Sequence, residues 1–356
     1  MTTRPSALPT ITVAVPCYNY GHYLPTCIDS ILQQEGVIVD IVIVDDGSTD
    51  GSDVVVREMA ERHDNVRAIF HQPNAGHIQT FTDGVAAATG DYVLLISADD
   101  CLAPGALQRA VTVMEEHPEV GLVYGRVDVF DQVPPLPEHP IPAEQVTIWD
   151  GWDWIAERCI TAANPTYSPE VVLRTSVQHA IGGYDPECGY TSDFNMWLRA
   201  AAVAGVARID GPVLAHYRVH GDNMSRTMFK SDYAQIDHRM RAIDRFFATV
   251  PHLDTHHVEL RRRAGTAIAR AAVNEAIRQV RLRPVSETDC SLLVELARRT
   301  DASVLQSWIG RELRGRLRLG RTLCRVLPPF VIFDAIRAGR HRRRERRRLR
   351  EGRFGD

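Results

Sequence analysis

The sequence lacks any C-x-x-C pair, and its seven cysteines, at positions 17, 27, 101, 159, 188, 290 and 324, are odd in number and scattered, with no histidine cluster at zinc spacing. That excludes a disulfide framework and a structural zinc site, and predicts reduced thiols in a cytosolic protein. No apolar run approaches the length of a membrane-spanning helix; "VLPPFVIF" (326–333) is too short and is broken by Pro328 and Pro329. The first ten residues, "MTTRPSALPT", have no apolar core of signal-peptide length, so a secretory route is not expected. Three nucleotide and hydrolase signatures are missing as well. The chain has no G-x-G-x-x-G after its first strand, where it reads "PCYNYGHYL", no G-x-x-x-x-G-K-[ST], and no G-x-S-x-G. Hydride transfer on a glycine-rich loop, P-loop phosphate transfer and serine hydrolysis therefore lose their support.

What is present is a chain of 356 residues, 44% hydrophobic, enough for a large domain with an appendage. The net charge of −4 is unevenly placed: residues 337–353 hold ten arginines against Glu345 and Glu351, a local +8 that leaves −12 for the remainder. Up to about residue 130, short β-rich runs ("ITVAV", "VDIVIV", "VRAIF", "DYVLLIS") alternate with stretches of helical spacing. Such alternation predicts a parallel sheet covered by helices, with ligands bound beyond the carboxyl ends of its strands. The residues at those ends are "PCYNY", "DDGSTDGS", "HQPNAGH" and "ADD", all polar and rich in carboxylates or glycine. A proline-rich segment, "DQVPPLPEHPIPAEQ" (131–145), interrupts the pattern as a candidate acceptor-side loop. From about residue 230 the periodicity is purely helical, with Ile236, Met240, Ile243 and Phe247 on one face. The expected division is a catalytic domain over 1–229, a helical region over 230–336 and an arginine-rich tail over 337–356.

One strand ends in an adjacent pair of acids, Asp99 and Asp100. The pair could cap the helix that Pro104 introduces. As a site, two like charges held together require a compensating cation or donor. Hard Mg²⁺ or Mn²⁺, held by one or two carboxylates and the phosphate oxygens of a substrate, meets that requirement.

In order and spacing, "VPCYNYGHYLPTCIDSILQQ", "VIVDDGSTDGS", "NAGH", "GDYVLLISADD", "GGYDPE", "SDFNMWLRAA" and "YRVHGDNMS" resemble the family 2 glycosyltransferases of GT-A fold, over about residues 9–228. The resemblance implies an α/β fold, a Rossmann-like, mostly parallel sheet flanked by helices. It implies an inverting transfer of a sugar from a nucleotide-diphosphate donor, a UDP-sugar being favoured, to a hydroxyl acceptor, with Mn²⁺ or Mg²⁺ as cofactor. By the same likeness Pro16 and Tyr18 wall the donor base, Asp46 accepts a hydrogen bond from it, and Asn74 and Gly76 shape the adjoining loop. Asp45 beside Asp46 is a structural candidate. Asp100 is the expected metal ligand, Asp99 contacts the ribose or a metal-bound water, and His220 lies near the metal or diphosphate. Asp193 is the expected general base. Ser97 and Ser192 depart from the pattern, standing where relatives usually carry acids. Arg218 could neutralise phosphate or pair with an acid. A scaffold on the same fold that binds sugar nucleotides without turnover is the alternative, which the set Asp46, Asp99, Asp100 and Asp193 disfavours. A processive synthase is disfavoured by the lack of membrane spans.

The basic end reads as a solvated tail or as a contact with anionic membrane, to which "RELRGRLRLGRTLCRVL" (311–327) could add an amphipathic helix. A membrane contact suits a lipid-linked acceptor in cell-envelope polysaccharide or glycoconjugate synthesis, on the cytoplasmic face. Nucleic acid is not an expected partner, because the tail lacks interleaved aromatics and the body is acidic.

Overall fold

A computed structural model of the chain describes residues 8–135, 144–224, 231–250, 254–282 and 287–324. The centre of the proline-rich segment and the tail over 337–356 lie outside these residues.

The strands are β1 (Thr10–Cys17), β2 (Ile38–Asp45), β3 (Val66–Phe70), β4 (Tyr92–Leu95), β5 (Cys101–Leu102), β6 (Val120–Phe130), β7 (Gln145–Trp149), β8 (Val172–Arg174) and β9 (Gly205–Arg218). They form one sheet in the order β3-β2-β1-β4-β8-β6-β9-β5, with β7 also paired to β9. Strands β1 to β4, β6 and β9 run one way and β5, β7 and β8 the other, so the sheet is mostly parallel. The helices of the first part are α1 (Leu24–Leu32), α2 (Ser52–Arg62), α3 (His77–Ala86), α4 (Ala106–Glu116), α5 (Gly151–Thr161), α6 (Thr175–Ile181) and α7 (Ser192–Ala201). Beyond β9 come α8 (Asp232–Thr249), α9 (Thr255–Leu282), α10 (Glu287–Asp301), α11 (Ser303–Gln306) and α12 (Trp308–Cys324).

Each face of the sheet carries its own core, which is why the strands read as unbroken apolar runs instead of alternating with polar residues. On one face Val13, Val15 and Ile43 meet Leu24, Ile28 and Ile31 of α1 and Leu107, Val111 and Met114 of α4. On the other, Val93, Leu95 and Leu122 meet Trp154 of α5 and Phe194 and Trp197 of α7, and this core runs on without interruption into α8 through α12. The helical region is thus packed on the sheet through α5 and α7. Helix α3 lies close over β1 because Gly84 has no side chain: a Cβ there would stand 3.1 Å from the Ala14 Cβ.

Beneath β6 and β8 sits a fully buried carboxyl group. Glu170 receives the Tyr167 amide on Oε1 at 2.8 Å, while its Oε2 has no partner among the described residues. Burial pushes its pKa up to about 8, the amides of Tyr167 and Gly125 opposing the rise. Between the unfolded value, near the ordinary 4.5, and about 8, the folded protein keeps a proton that the unfolded chain has lost. The stability this group contributes is full below the lower value and is lost as pH rises through the upper one. Glu170→Gln is expected to match the parent at pH 4.5 and to exceed it at pH 8 by up to about 4 kcal/mol in urea unfolding. A stability difference independent of pH would contradict this.

Candidate active site

A cleft of about 660 Å³ opens at the carboxyl ends of β1, β2 and β4. Pro16, Tyr18, Asp46, Asn74, Gly76 and Asp99, all nominated from the sequence, line it together with Tyr20, Tyr23, His77, Phe81, Ser97, Tyr217 and Asn223. The lining does not include Asp100, His220 or Asp193.

Asp46, one residue past β2, anchors the loop that leads into α3. Its Oδ1 accepts the Ala75 amide at 2.7 Å and faces His71 Nδ1 at 2.9 Å, and its Oδ2 accepts the Gly76 amide at 3.0 Å. Burial works against its charge, yet the Ala75 amide, the His71 ring and the Gly76 amide hold the carboxyl below the usual carboxylate range. Gly76 has φ +88°, a conformation that a side chain would strain, and this turns its amide toward Asp46. Asn74 closes the same loop, donating to the Asp46 carbonyl at 2.7 Å and accepting from the Gly76 amide at 3.1 Å. The local turn after β2 is held by Asp45 instead, whose Oδ2 accepts the Ser48 amide at 3.2 Å. His71 extends the network to α3, with Nε2 3.0 Å from Asp83.

Asp99 and Asp100 do not cap α4, which starts behind Gly105 without a side-chain cap. Both are buried, and Arg218 at the end of β9 organises them. Its amide donates to Asp100 Oδ1 and its Nε to the Asp99 carbonyl, each at 2.9 Å. Its guanidinium also donates to the Gln132 carbonyl and lies between the rings of Tyr23 and Phe130, 4.7 and 4.4 Å from their centroids. The guanidinium pairs with no carboxylate among the described residues, and Arg218 acts on the acid pair through main-chain groups. His220 Nε2 stands 2.9 Å from Asp99 Oδ2, and its Nδ1 accepts the Asp222 amide at 3.3 Å, so the ring's proton lies on the side of the carboxylate. Asn223 donates to the same Oδ2 at 3.3 Å.

Burial raises the Asp99 carboxyl above its usual range against the opposing His220 bond. Burial and then the Asp99 charge raise Asp100 further. Asp100 Oδ2 is a buried oxygen with no partner among the described residues. Among those residues no three His, Cys, Asp or Glu side chains converge into a protein-only metal cage. A magnesium-type site does not need one, since phosphate and water oxygens complete its shell. Two hard carboxylates, both resisting ionisation and one holding an orphaned oxygen, fit a divalent cation.

Asp193 stands in the first turn of α7, where a helix favours negative charge. It accepts the Phe194 amide on Oδ1 at 2.7 Å and Asn164 Nδ2 on Oδ2 at 2.8 Å. Burial lifts its pKa to about 6 despite both bonds. Tyr184 relates it to the cleft: the Tyr184 ring packs on Phe81 of the cleft wall at 5.5 Å, and the Asp193 charge adds to burial in raising its phenol.

Sequence reasoning passed over Asn164, His71 and Asn223. Asn223 lies within the quoted "YRVHGDNMS" and His71 beside "NAGH", so both carried a signal. Asn164, in the loop after α5, carried none.

The comparisons with known proteins agree with this geometry. Residues 12–169 match the family model described as Glycosyl transferase family 2. Over that stretch the chain is similar to the family 2 glycosyltransferases. An uncharacterized glycosyltransferase of Nostoc sp. is 42% identical over 122 residues, which is 34% of this chain and 37% of the relative. The chondroitin synthase of Pasteurella multocida is 25% identical over 222 residues, 61% of this chain and 21% of that one. The first relatives are thus matched over only 30 to 40% of their own length. Two solved structures share the GT-A fold. S. aureus TarS 1-349 in complex with UDP-GlcNAc has a TM-score of 0.57 at 15% identity, over 83% of this chain and 92% of that one. The mannosyltransferase PcManGT from Pyrobaculum calidifontis, in complex with GDP-Man and Mn²⁺, has a TM-score of 0.53 at 16% identity, over 94% and 85%.

Removing the acceptor at position 46 leaves the Ala75 amide and His71 Nδ1 without this partner and the Gly76 amide with Asn74 Oδ1 alone. Asp46→Ala is expected to destabilise the protein by about 2–4 kcal/mol and to speed hydrogen exchange at the Ala75 and Gly76 amides. Unchanged protection of those two amides would show that the loop holds itself.

Proposed function

We propose that this protein is an inverting glycosyltransferase that moves a sugar from a nucleoside diphosphate, a UDP-sugar being favoured, to a hydroxyl acceptor. The observation that carries the reading is the cleft lined by both Asp46 and Asp99 at the strand ends of a sheet whose sequence resembles family 2 glycosyltransferases. The base lies against Pro16 and Tyr18 near Asp46, and Asn74 and Gly76 keep that acid aimed. Asp99 and Asp100, with phosphate oxygens, would hold a divalent cation, which would supply charge neutralisation for the departing diphosphate. His220 and Asn223 keep Asp99 oriented for that task, and Arg218 keeps the pair in place.

Asp193 takes the acceptor hydroxyl's proton as its oxygen attacks the anomeric carbon. The new glycosidic C–O bond forms while the bond to the diphosphate oxygen breaks, and the diphosphate leaves with the electron pair from the opposite face. One displacement inverts the anomeric configuration, and no protein nucleophile is used. A base with a pKa near 6 is ionised at neutral pH and still accepts a proton readily. The acceptor is lipid-linked, in cell-envelope polysaccharide or glycoconjugate assembly, and the arginine-rich tail contacts the anionic inner face of the membrane. Among the described residues no helix is long and apolar enough to cross a bilayer.

Calorimetric titration with UDP, GDP and TDP, each with Mn²⁺ and with EDTA, tests the donor half of the reading. Metal-dependent binding of one diphosphate is expected, lost in Asp100→Ala; no binding of any would favour a scaffold. For the chemical half, Asp193→Asn is expected to bind donor normally and to lose about 10²–10⁴-fold in kcat. Turnover at the parent rate would remove Asp193 from the mechanism.

The rate should fall as pH drops through about 6, where Asp193 takes up its proton. Asn164 donates to the ionised form, so Asn164→Ala should move that acid limb upward by about half a unit to one unit. A pH profile identical to the parent's would mean that Asn164 does not act through Asp193.

A further inference from the structure

We propose that the outward face of α12 docks this protein on an anionic lipid surface. The inner side of α12 is committed to the helical core: Ile309 and Leu313 are buried there, and Glu312 and Arg316 form a fully buried ion pair at 2.9 Å. The outer side is of another kind. Arg311, Arg314 and Arg318, at i, i+3 and i+7, form one exposed stripe, and Leu317 and Leu319, 46% and 40% exposed, flank it on either side.

The charge of this stripe is uncompensated, unlike that of the neighbouring helices. On α8, α9 and α10 most exposed arginines are matched, Arg241 with Asp237, Arg261 with Asp244, Arg262 and Arg263 with Glu259, and Arg298 with Glu295, while Arg270 stands alone among the described residues. On α12, Arg311 and Arg314 donate only to the main-chain carbonyls of Gln306 and Leu305, and among the described residues none of the three stripe arginines pairs with a carboxylate. Glu312, the one acid between Trp308 and Leu319, is turned inside. A row of cations left bare on a protein otherwise rich in carboxylates calls for an anionic surface.

The leucines decide which surface. A polyanion such as RNA would pair with the arginines but has nothing for two exposed leucines, and the stripe has no aromatic residue on which a base could stack. A bilayer interface takes both groups, the headgroup phosphates meeting the guanidinium groups and the acyl boundary meeting the leucines. This inference does not depend on the glycosyltransferase reading of the cleft.

The test is co-sedimentation of the full-length protein with vesicles of phosphatidylcholine alone and of phosphatidylcholine with phosphatidylglycerol at three to one. The parent is expected to bind only the anionic vesicles. Each arginine near such a surface contributes about fivefold, so R311Q/R314Q/R318Q should lower the partition coefficient by about 100-fold. L317S/L319S should abolish the binding that survives high salt. Unchanged melting temperatures would show that both variants fold, as expected for exposed positions. The proposal is overturned if the triple variant binds as the parent does, which would assign all binding to the tail. It is equally overturned if the parent ignores anionic vesicles, or if an RNA oligonucleotide displaces it from them while the leucine pair has no effect.

Discussion

Two adjacent carboxylates buried at the end of a core strand would ordinarily repel each other and resist ionisation, and the site depends on how that conflict is contained. Arg218 contains it from β9. Its main-chain amide serves one acid, its side chain serves the carbonyl of the other, and its charge is sandwiched between two rings. Because the guanidinium is bound to main chain, Arg218 fixes the backbone of the acidic turn and leaves Asp99 Oδ2 to His220 and Asn223. The pair remains under-compensated, as the raised carboxyls and the orphaned Asp100 oxygen show. Such residual cost is expected where a buried charge is completed by a ligand instead of by the protein.

Asp46 is the opposite case. It is as buried as Asp99, yet hydrogen bonds to the ionised form outweigh burial and keep it charged. Two carboxylates beyond β2 and β4, on either side of β1, are therefore held in different states by different environments. One is a fixed anion that shapes a loop, and the other is a reluctant anion.

The sheet was legible because a two-faced core writes itself as continuous apolar runs bounded by polar strand ends. The expected strands at 11–15, 39–44 and 66–70 fall within or on Thr10–Cys17, Ile38–Asp45 and Val66–Phe70. Six of the nine nominated residues share the cleft for the same reason: parallel strands deliver the residues beyond their carboxyl ends to one edge of the sheet. The features that were not legible depend on long-range geometry. Nothing in "AANPTYSP" marks Asn164 as the partner of a carboxylate 29 residues later, and nothing local tells whether Arg218 faces a phosphate or a carbonyl. Pattern also separates the helical region at 230 more sharply than packing does, since periodicity reports a change of local structure and not where the core ends.

That continuity of the core bears on Asp193. Asn195, two residues after Asp193, donates to the Ala242 carbonyl of α8, and Thr191, two residues before it, donates to the His238 carbonyl of the same helix. The first turn of α7 is thus tied on both sides of Asp193 to a helix that lies beyond the last strand of the sheet. The position of this carboxylate is set jointly by the sheet-forming part of the chain, through Asn164 and the packing of Phe194 and Trp197, and by the helical layer. The helical layer can in this way re-aim the first turn of α7 without touching the strand ends that line the cleft.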